Sequence, residues 1–292
     1  MDVIEDIIKD CCNQISIMIR YRNTFELCKY TTKINSSGDK IKDFDMFVSN
    51  LFISKLKDCN EVRCIGSEEE EHLIHTDHIN ASYMVCIDPV DGSGNLGINT
   101  TTGTIFAIYK YKNGSVIVDG NDIVMAGYCI YGGCTQMVIA KETVNIYQLI
   151  NYNFVKIKDD IKIPNEGNYY CVNESNRYNF LNIKNINFID YCTEEGYNGR
   201  WVGCMVADAH RILMMGGIFM YPCTEKSKHG KLRLLYEAYP FAFIFKVAGG
   251  YSYNEEISMS ILDTPIPIKP HQKVPVILCG KSEYESYLRI AI

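Results

Sequence analysis

Apolar side chains recur at three- and four-residue intervals from Val3 to Ile19. Val3, Ile4, Ile7, Ile8, Cys11, Cys12, Ile15, Met18 and Ile19 form one stripe, which predicts an amphipathic helix. The polar, glycine-containing stretch Asn35-Ser36-Ser37-Gly38-Asp39 predicts a loop. A second helix is predicted after it, with Phe44, Phe47, Val48, Leu51, Phe52 and Leu56 on its apolar side. The period then changes. Val62 to Ile65, Tyr83 to Ile87, Thr104 to Tyr109, Ser115 to Val118, Ile123 to Ile130 and Gln136 to Ala140 read as strands, and the glycine turns between several of them predict an antiparallel sheet.

Residues 150–170 are polar and rich in Lys, Asn and Asp, and predict a seam between an α+β half, 1–165, and an α/β half, 166–292. In the second half Val206 to Met215 reads as a helix and Gly217 to Tyr221 as extended chain. Glu237 to Ala248 reads as a helix with Pro240 tolerated in its first turn, and Val274 to Leu278 as a last strand. Helices around sheets in both halves predict a layered α/β or α+β architecture.

Composition narrows the classes. The 292 residues are 47% hydrophobic and 22% charged, which excludes wholesale disorder. The 29 basic and 35 acidic side chains leave a net charge of -6, against a broad nucleic-acid footprint. No apolar run approaches the roughly 18 residues of a membrane helix, and no signal peptide is recognisable, so no membrane partner is expected. The 13 cysteines include no C-x-x-C pair, which reads as buried free thiols in a reducing, cytoplasmic compartment. The Asn-x-Ser/Thr matches at Asn35 and Asn113 then carry no glycosylation.

Three segments carry candidate chemistry. In Ile87-Asp88-Pro89-Val90-Asp91-Gly92-Ser93, directly after an apolar strand, Asp88 and Asp91 flank a turn that Pro89 stiffens. Both carboxylates and the Val90 carbonyl can converge on a hard cation, while the Gly92 and Ser93 amides can face an anion. An Asx-type turn with solvated carboxylates is the competing reading. Ser67-Glu68-Glu69-Glu70-Glu71 follows another strand; such a run is usually a solvated turn. If the two strands are neighbours, Glu68 joins Asp88 and Asp91, and only a divalent cation relieves the repulsion. In Lys231-Leu232-Arg233-Leu234-Leu235-Tyr236-Glu237 the two cations share one strand face and can line a cleft; a half-buried strand with a basic outer face is the alternative. His72, His75 and His78 lack the cysteine or helical context of a zinc site.

Together these segments resemble the fructose-1,6-bisphosphatases, within the superfamily of magnesium-dependent, lithium-sensitive phosphatases. The resemblance also rests on Gly127-Tyr128 with Tyr131-Gly132, Val202-Gly203 with Met205-Val206-Ala207-Asp208, and Gly216 to Phe219 with Tyr221-Pro222. It implies a layered α/β/α/β/α sandwich and hydrolysis of the 1-phosphate of fructose 1,6-bisphosphate, a gluconeogenic step. It implies Mg²⁺, with Mn²⁺ as the alternative ion, held by Glu68, Glu69, Asp88, Val90, Asp91 and Glu237. Asp39 and Asp45 match acidic positions of a mobile loop, and Asp45 with Glu69 would polarise the attacking water. Gly92 and Ser93 would hold the 1-phosphate. Asn173, Tyr221 and Lys231 would contact the sugar and 6-phosphate, with Met205 as a wall. Arg200 would reach the 6-phosphate of a neighbouring subunit, so a homo-oligomer, a tetramer by resemblance, is expected.

Departures from the family pattern are specific. Trp201 and Asn176 stand where two phosphate-binding tyrosines are usual, which predicts weaker 6-phosphate binding. Ser82 and Asn121 replace two cations of the vertebrate-type AMP site, although Tyr83 is kept, which predicts little AMP inhibition. A related substrate, such as sedoheptulose 1,7-bisphosphate or an inositol phosphate, stays open, as does a catalytically silent sugar-phosphate sensor.

Overall fold

The computed structural model describes residues 1–21, 29–34, 40–111, 119–265, 267 and 269–290, with 30–34 and 40–42 as backbone only. Asp39 and the strand expected at Ser115 to Val118 lie outside the described residues. Helix α1 (Asp2–Tyr21) and helix α2 (Asp43–Lys57) are separated in sequence by the antiparallel pair β1 (Tyr30–Ile34) and β2 (Lys40–Lys42). Ile4, Ile8, Cys11, Cys12 and Ile15 of α1 pack with Phe44, Val48, Phe52 and Leu56 of α2 against one face of a large sheet. Val3 and Phe47, expected in the apolar stripes, are 53% and 49% exposed, because they fall at the solvent margin of each stripe.

That sheet has eight strands: β3 (Val62–Ser67), β4 (Ile74–His75), β5 (Tyr83–Asp91), β6 (Thr102–Lys110), β7 (Ile123–Tyr131), β8 (Thr135–Ala140), β9 (Val144–Ile150) and β10 (Asn153–Lys158). Their order is β10-β9-β8-β7-β6-β5-β3-β4. All neighbours are antiparallel except β3 and β5, which run parallel, a departure from the all-antiparallel expectation. Both faces are covered, which explains why the strands read as nearly continuous apolar runs. On β6, Phe106 and Ile108 face the α1/α2 core, while Ile105, Ala107 and Tyr109 face the opposite one. The polar stretch read as a seam opens with edge strand β10, mostly exposed, where charged side chains suit an unpaired edge.

The second half supplies a five-stranded sheet ordered β12-β11-β13-β17-β15, from β11 (Tyr169–Cys171), β12 (Asn198–Gly199), β13 (Ile218–Tyr221), β15 (Tyr251–Tyr253) and β17 (Val276–Cys279). Between the two sheets lie α4 (Met205–Met215) and α5 (Tyr239–Val247), whose Val206, Ala209, Ile212, Phe241 and Phe245 fill the central core. Helices α3 (Ile183–Glu194) and α6 (Lys281–Arg289) cover the outer face of the smaller sheet, with Phe188, Ile189 and Tyr287 buried there. The result is the α/β/α/β/α sandwich. The last predicted strand is cut at Pro275, which has no N–H to give a ladder. Its first part, β16 (Lys273–Val274), pairs with the short β14 (Leu232–Arg233), and the rest is β17. No described helix is long and apolar enough to cross a membrane. The 12 described cysteines are all free, and only Cys134 is not buried.

Candidate active site

The parallel pairing of β3 and β5 decides the site. Ser67 stands opposite Ile87, and the Glu68 amide donates to the Ile87 carbonyl at 3.0 Å. The glutamate run therefore starts beside Asp88, as strand adjacency required. The Ser67 hydroxyl lies 2.8 Å from that of Ser49 on α2, fixing where the run leaves the sheet. Asp88-Pro89-Val90-Asp91 is not the expected turn but the end of β5, where the register to β6 shifts between Asp88 and Asp91 as in a bulge that accommodates Pro89, and it is tied down internally. The Val90 amide donates to Asp88 Oδ1 at 3.1 Å, and the Thr104 hydroxyl donates to the Pro89 carbonyl at 2.8 Å. Gly92 follows in the left-handed region, φ 71°, where a Cβ would sit 2.7 Å from the Cβ of Cys204. Both the conformation and the space call for glycine there.

Glu237 arrives from the other half. It was expected to open a helix; it lies instead in a π-type turn, Leu234–Ala238, just before α5. The turn lets the Arg233 amide donate to Glu237 Oε2 at 2.6 Å. One oxygen each of Asp88, Asp91 and Glu237 then lie within 4.8 Å of one another. Arg233 places its guanidinium 2.5 Å from Glu68 Oε1 and 3.7 Å from Glu237 Oε2. Only 9% of its side chain is exposed, so it is a buried counter-charge and not the outer face of a strand.

One cation does not balance this set. Burial, then the charges of Glu68, Asp91 and Glu237, push the Asp88 carboxyl well above the usual carboxylate range. Burial also raises Asp91, against hydrogen bonds from Cys204 and Val206. Glu237 is pushed up to about 8 by burial and by Glu68, with Arg233 opposing. Oxygen donors with surplus negative charge are what a hard divalent cation needs. The residues fit such an ion.

A cavity of about 270 Å³ opens over the cluster. Glu68, Glu69, Asp88, Val90, Asp91 and Glu237 line its acidic floor. Asp45 also lines it, nearly buried, from the first turn of α2 and not from a loop. Gly92, Ser93, Met205, Tyr221 and Lys231 line the remainder. Two expected residues lie elsewhere. Asn173 borders a small adjoining crevice with Asn176, and Tyr221 separates the two spaces. Asn173 Oδ1 accepts from the Ser175 amide and hydroxyl, at 3.2 and 2.6 Å. Arg200 is exposed, 6.0 Å from the Tyr169 ring, outside the cavity.

The cavity has further lining residues. Trp201 lines it, stacked on Phe219 at 6.4 Å and inclined to Tyr221 at 5.8 Å. Arg233 and Lys231, expected to share a strand face and line a cleft, both line the cavity, and burial is what distinguishes them. Gly203 and Leu232 also line the cavity, and nothing in their residue types announces it.

Fold and site together define a sugar-phosphatase sandwich with an acidic cluster where its halves meet. Models of fructose-1,6-bisphosphatase match the N-terminal domain at residues 1–154 and the C-terminal domain at 163–291. The chain belongs to the fructose-1,6-bisphosphatase family. It is 36% identical to the class 1 fructose-1,6-bisphosphatase of Sulfurihydrogenibium sp. (strain YO3AOP1), over 95% of this chain and 87% of that protein. It is 34% identical to fructose-1,6-bisphosphatase 1 of Mus musculus, over 94% and 85%. The crystal structure of the Leishmania major enzyme in holo form superposes with a TM-score of 0.93 and 30% identity, covering 99% of this chain and 93% of that one.

Proposed function

We propose that the chain hydrolyses the 1-phosphate of fructose 1,6-bisphosphate to fructose 6-phosphate and phosphate, serving gluconeogenesis. The observation that carries the mechanism is the convergence of Asp88, Asp91 and Glu237 within 4.8 Å, with Glu68 and Glu69 lining the same cavity. These residues, with the Val90 carbonyl, would hold Mg²⁺, or Mn²⁺ in its place. Bound divalent cations supply charge neutralisation at the phosphate oxygens and the leaving alkoxide, and raise the acidity of water.

The chain's own groups do the rest. Asp45 and Glu69 line the cavity from separate elements, α2 and the loop after β3, and would orient the attacking water and take its proton. Gly92 and Ser93, at the start of a 3₁₀ turn, would hold the 1-phosphate. Lys231 and Tyr221 would receive the 6-phosphate end, with Met205 as the wall behind the sugar. In this reading 1–165 carries most of the carboxylates and 166–292 the sugar contacts, and Glu237 crosses over. Asn173, in the crevice adjoining Tyr221, would add to the 6-phosphate end, and exposed Arg200 fits a role completed in a homo-oligomer, a tetramer by resemblance. Free cysteines support a cytoplasmic setting.

Phosphate release from a panel of sugar bisphosphates and inositol phosphates, with and without Mg²⁺, tests the activity. Fructose 1,6-bisphosphate is expected to lead and to require the ion. A higher kcat/KM for sedoheptulose 1,7-bisphosphate or an inositol phosphate would reassign the substrate, and background rates throughout would indicate a sensor. Trp201 keeps one N–H donor where a tyrosine hydroxyl is usual. One neutral hydrogen bond is worth about 0.5–1.5 kcal/mol, so Trp201→Tyr is expected to lower KM about twofold to tenfold. An unchanged or higher KM would count against Trp201 as a phosphate-end residue.

A further inference from the structure

We infer that Cys204 is a positioning residue for Asp91, acting through a thiol hydrogen bond that commits one carboxylate oxygen and leaves the other to the cation. This rests on Asp91 being a metal ligand, as proposed above, and concerns a residue outside the cavity lining. Cys204 Sγ lies 3.0 Å from Asp91 Oδ2 and 3.7 Å from the Asp91 carbonyl. The Val206 amide donates to the same Oδ2 at 2.6 Å. Oδ2 therefore carries two donors from one segment of the second half, so Oδ1 is assigned to the ion.

The segment offering those donors is itself fixed. Asp208, fully buried, accepts from the Val202 amide at 2.9 Å and from the Gly203 amide at 3.1 Å. Asn95 Nδ2 donates to the Val202 carbonyl at 3.3 Å, tying the segment to the turn after Gly92. Gly92 leaves no room for a side chain against Cys204, and a Cβ at Gly103 would meet Val206 at 2.5 Å. The thiol thus has little freedom to turn elsewhere. It is also buried, 1% exposed, so water does not compete for its proton. Partners that orient a metal ligand are typically worth about 10–100-fold in affinity or activity. With the Val206 amide still in place, the lower end applies to Cys204.

The test is Mn²⁺ binding to the substrate-free protein, read as loss of the free-ion electron paramagnetic resonance signal, for the parent, Cys204→Ala, Cys204→Val, Cys204→Ser and Asp91→Asn. Alanine and valine remove the donor, and valine does so without opening a large void; serine restores a donor. The expected result is Mn²⁺ binding weakened about tenfold in the alanine and valine proteins and close to the parent in the serine protein. Should Cys204→Ala fold poorly, the valine–serine contrast decides. Parent-like binding by the valine protein, or equal weakening in the serine protein, overturns the role of Cys204 while Asp91→Asn still loses the ion. Parent-like binding by Asp91→Asn instead overturns the ligand reading on which the proposal stands, and the proposal with it.

Discussion

The Glu237→Gln protein is expected to release phosphate from fructose 1,6-bisphosphate at least about a thousandfold more slowly than the parent, a barrier increase of roughly 4 kcal/mol. Glu237 is 4% exposed and is the member of the acidic cluster supplied by the second half of the chain. Glutamine fits the same space and can still accept from the Arg233 amide, yet it brings no charge to the cation. Asp91→Asn is expected to behave likewise. Folding should survive, because the metal-free parent is burdened by carboxylate repulsion that each substitution relieves. Stopped or continuous phosphate assays at saturating Mg²⁺, beside melting temperatures, separate the two effects. Near-normal turnover in either variant would remove that residue from the metal site.

The second expectation concerns pH. In the metal-free protein the Glu237 carboxyl is raised from an ordinary 4.5 to about 8. Between those values the folded chain holds a proton that the unfolded chain has released. Stability is therefore fully present below pH 4.5 and falls as pH climbs through 8, by on the order of 5 kcal/mol for this group. Asp88 and Asp91, also raised by burial, act in the same direction. Excess Mg²⁺ should flatten the decline, because binding to the ionised cluster stabilises the folded state. Urea unfolding at a series of pH values, in chelator and in Mg²⁺, reads this directly. A flat metal-free profile from pH 5 to 8 would contradict it, and Glu237→Gln should show a shallower decline than the parent.

Much of this was legible in the sequence because its signals are local. The α1 stripe, the strand before Asp88 and the turn at Gly92 follow from spacing and residue type alone, whereas the expected turn at Pro89 is a bulged continuation of β5. The meeting of Glu68 with Asp88 was conditional on strand order, and the parallel β3–β5 pair supplies that order. What stayed hidden depends on partners far away in sequence. The burial of Arg233 needs Glu68 and Glu237 around it, and the π-type turn at Leu234–Ala238 has no period of its own to announce it. Helices α3 and α6 were not read at all, since their apolar positions make sense only against the outer face of the smaller sheet. Asn173 and Arg200 stand outside the cavity lining, and for Arg200 the resemblance implied a neighbouring subunit's site and not this chain's own.

The central claim is that carboxylates from β5 and from the turn before α5 enclose divalent cations between the two halves of the chain. Crystals grown with Mn²⁺, with diffraction recorded at the manganese absorption edge, test it most directly. The account predicts anomalous density between Asp88, Asp91 and Glu237, within bonding distance of all three. Fully occupied manganese elsewhere with none at this cluster would contradict it.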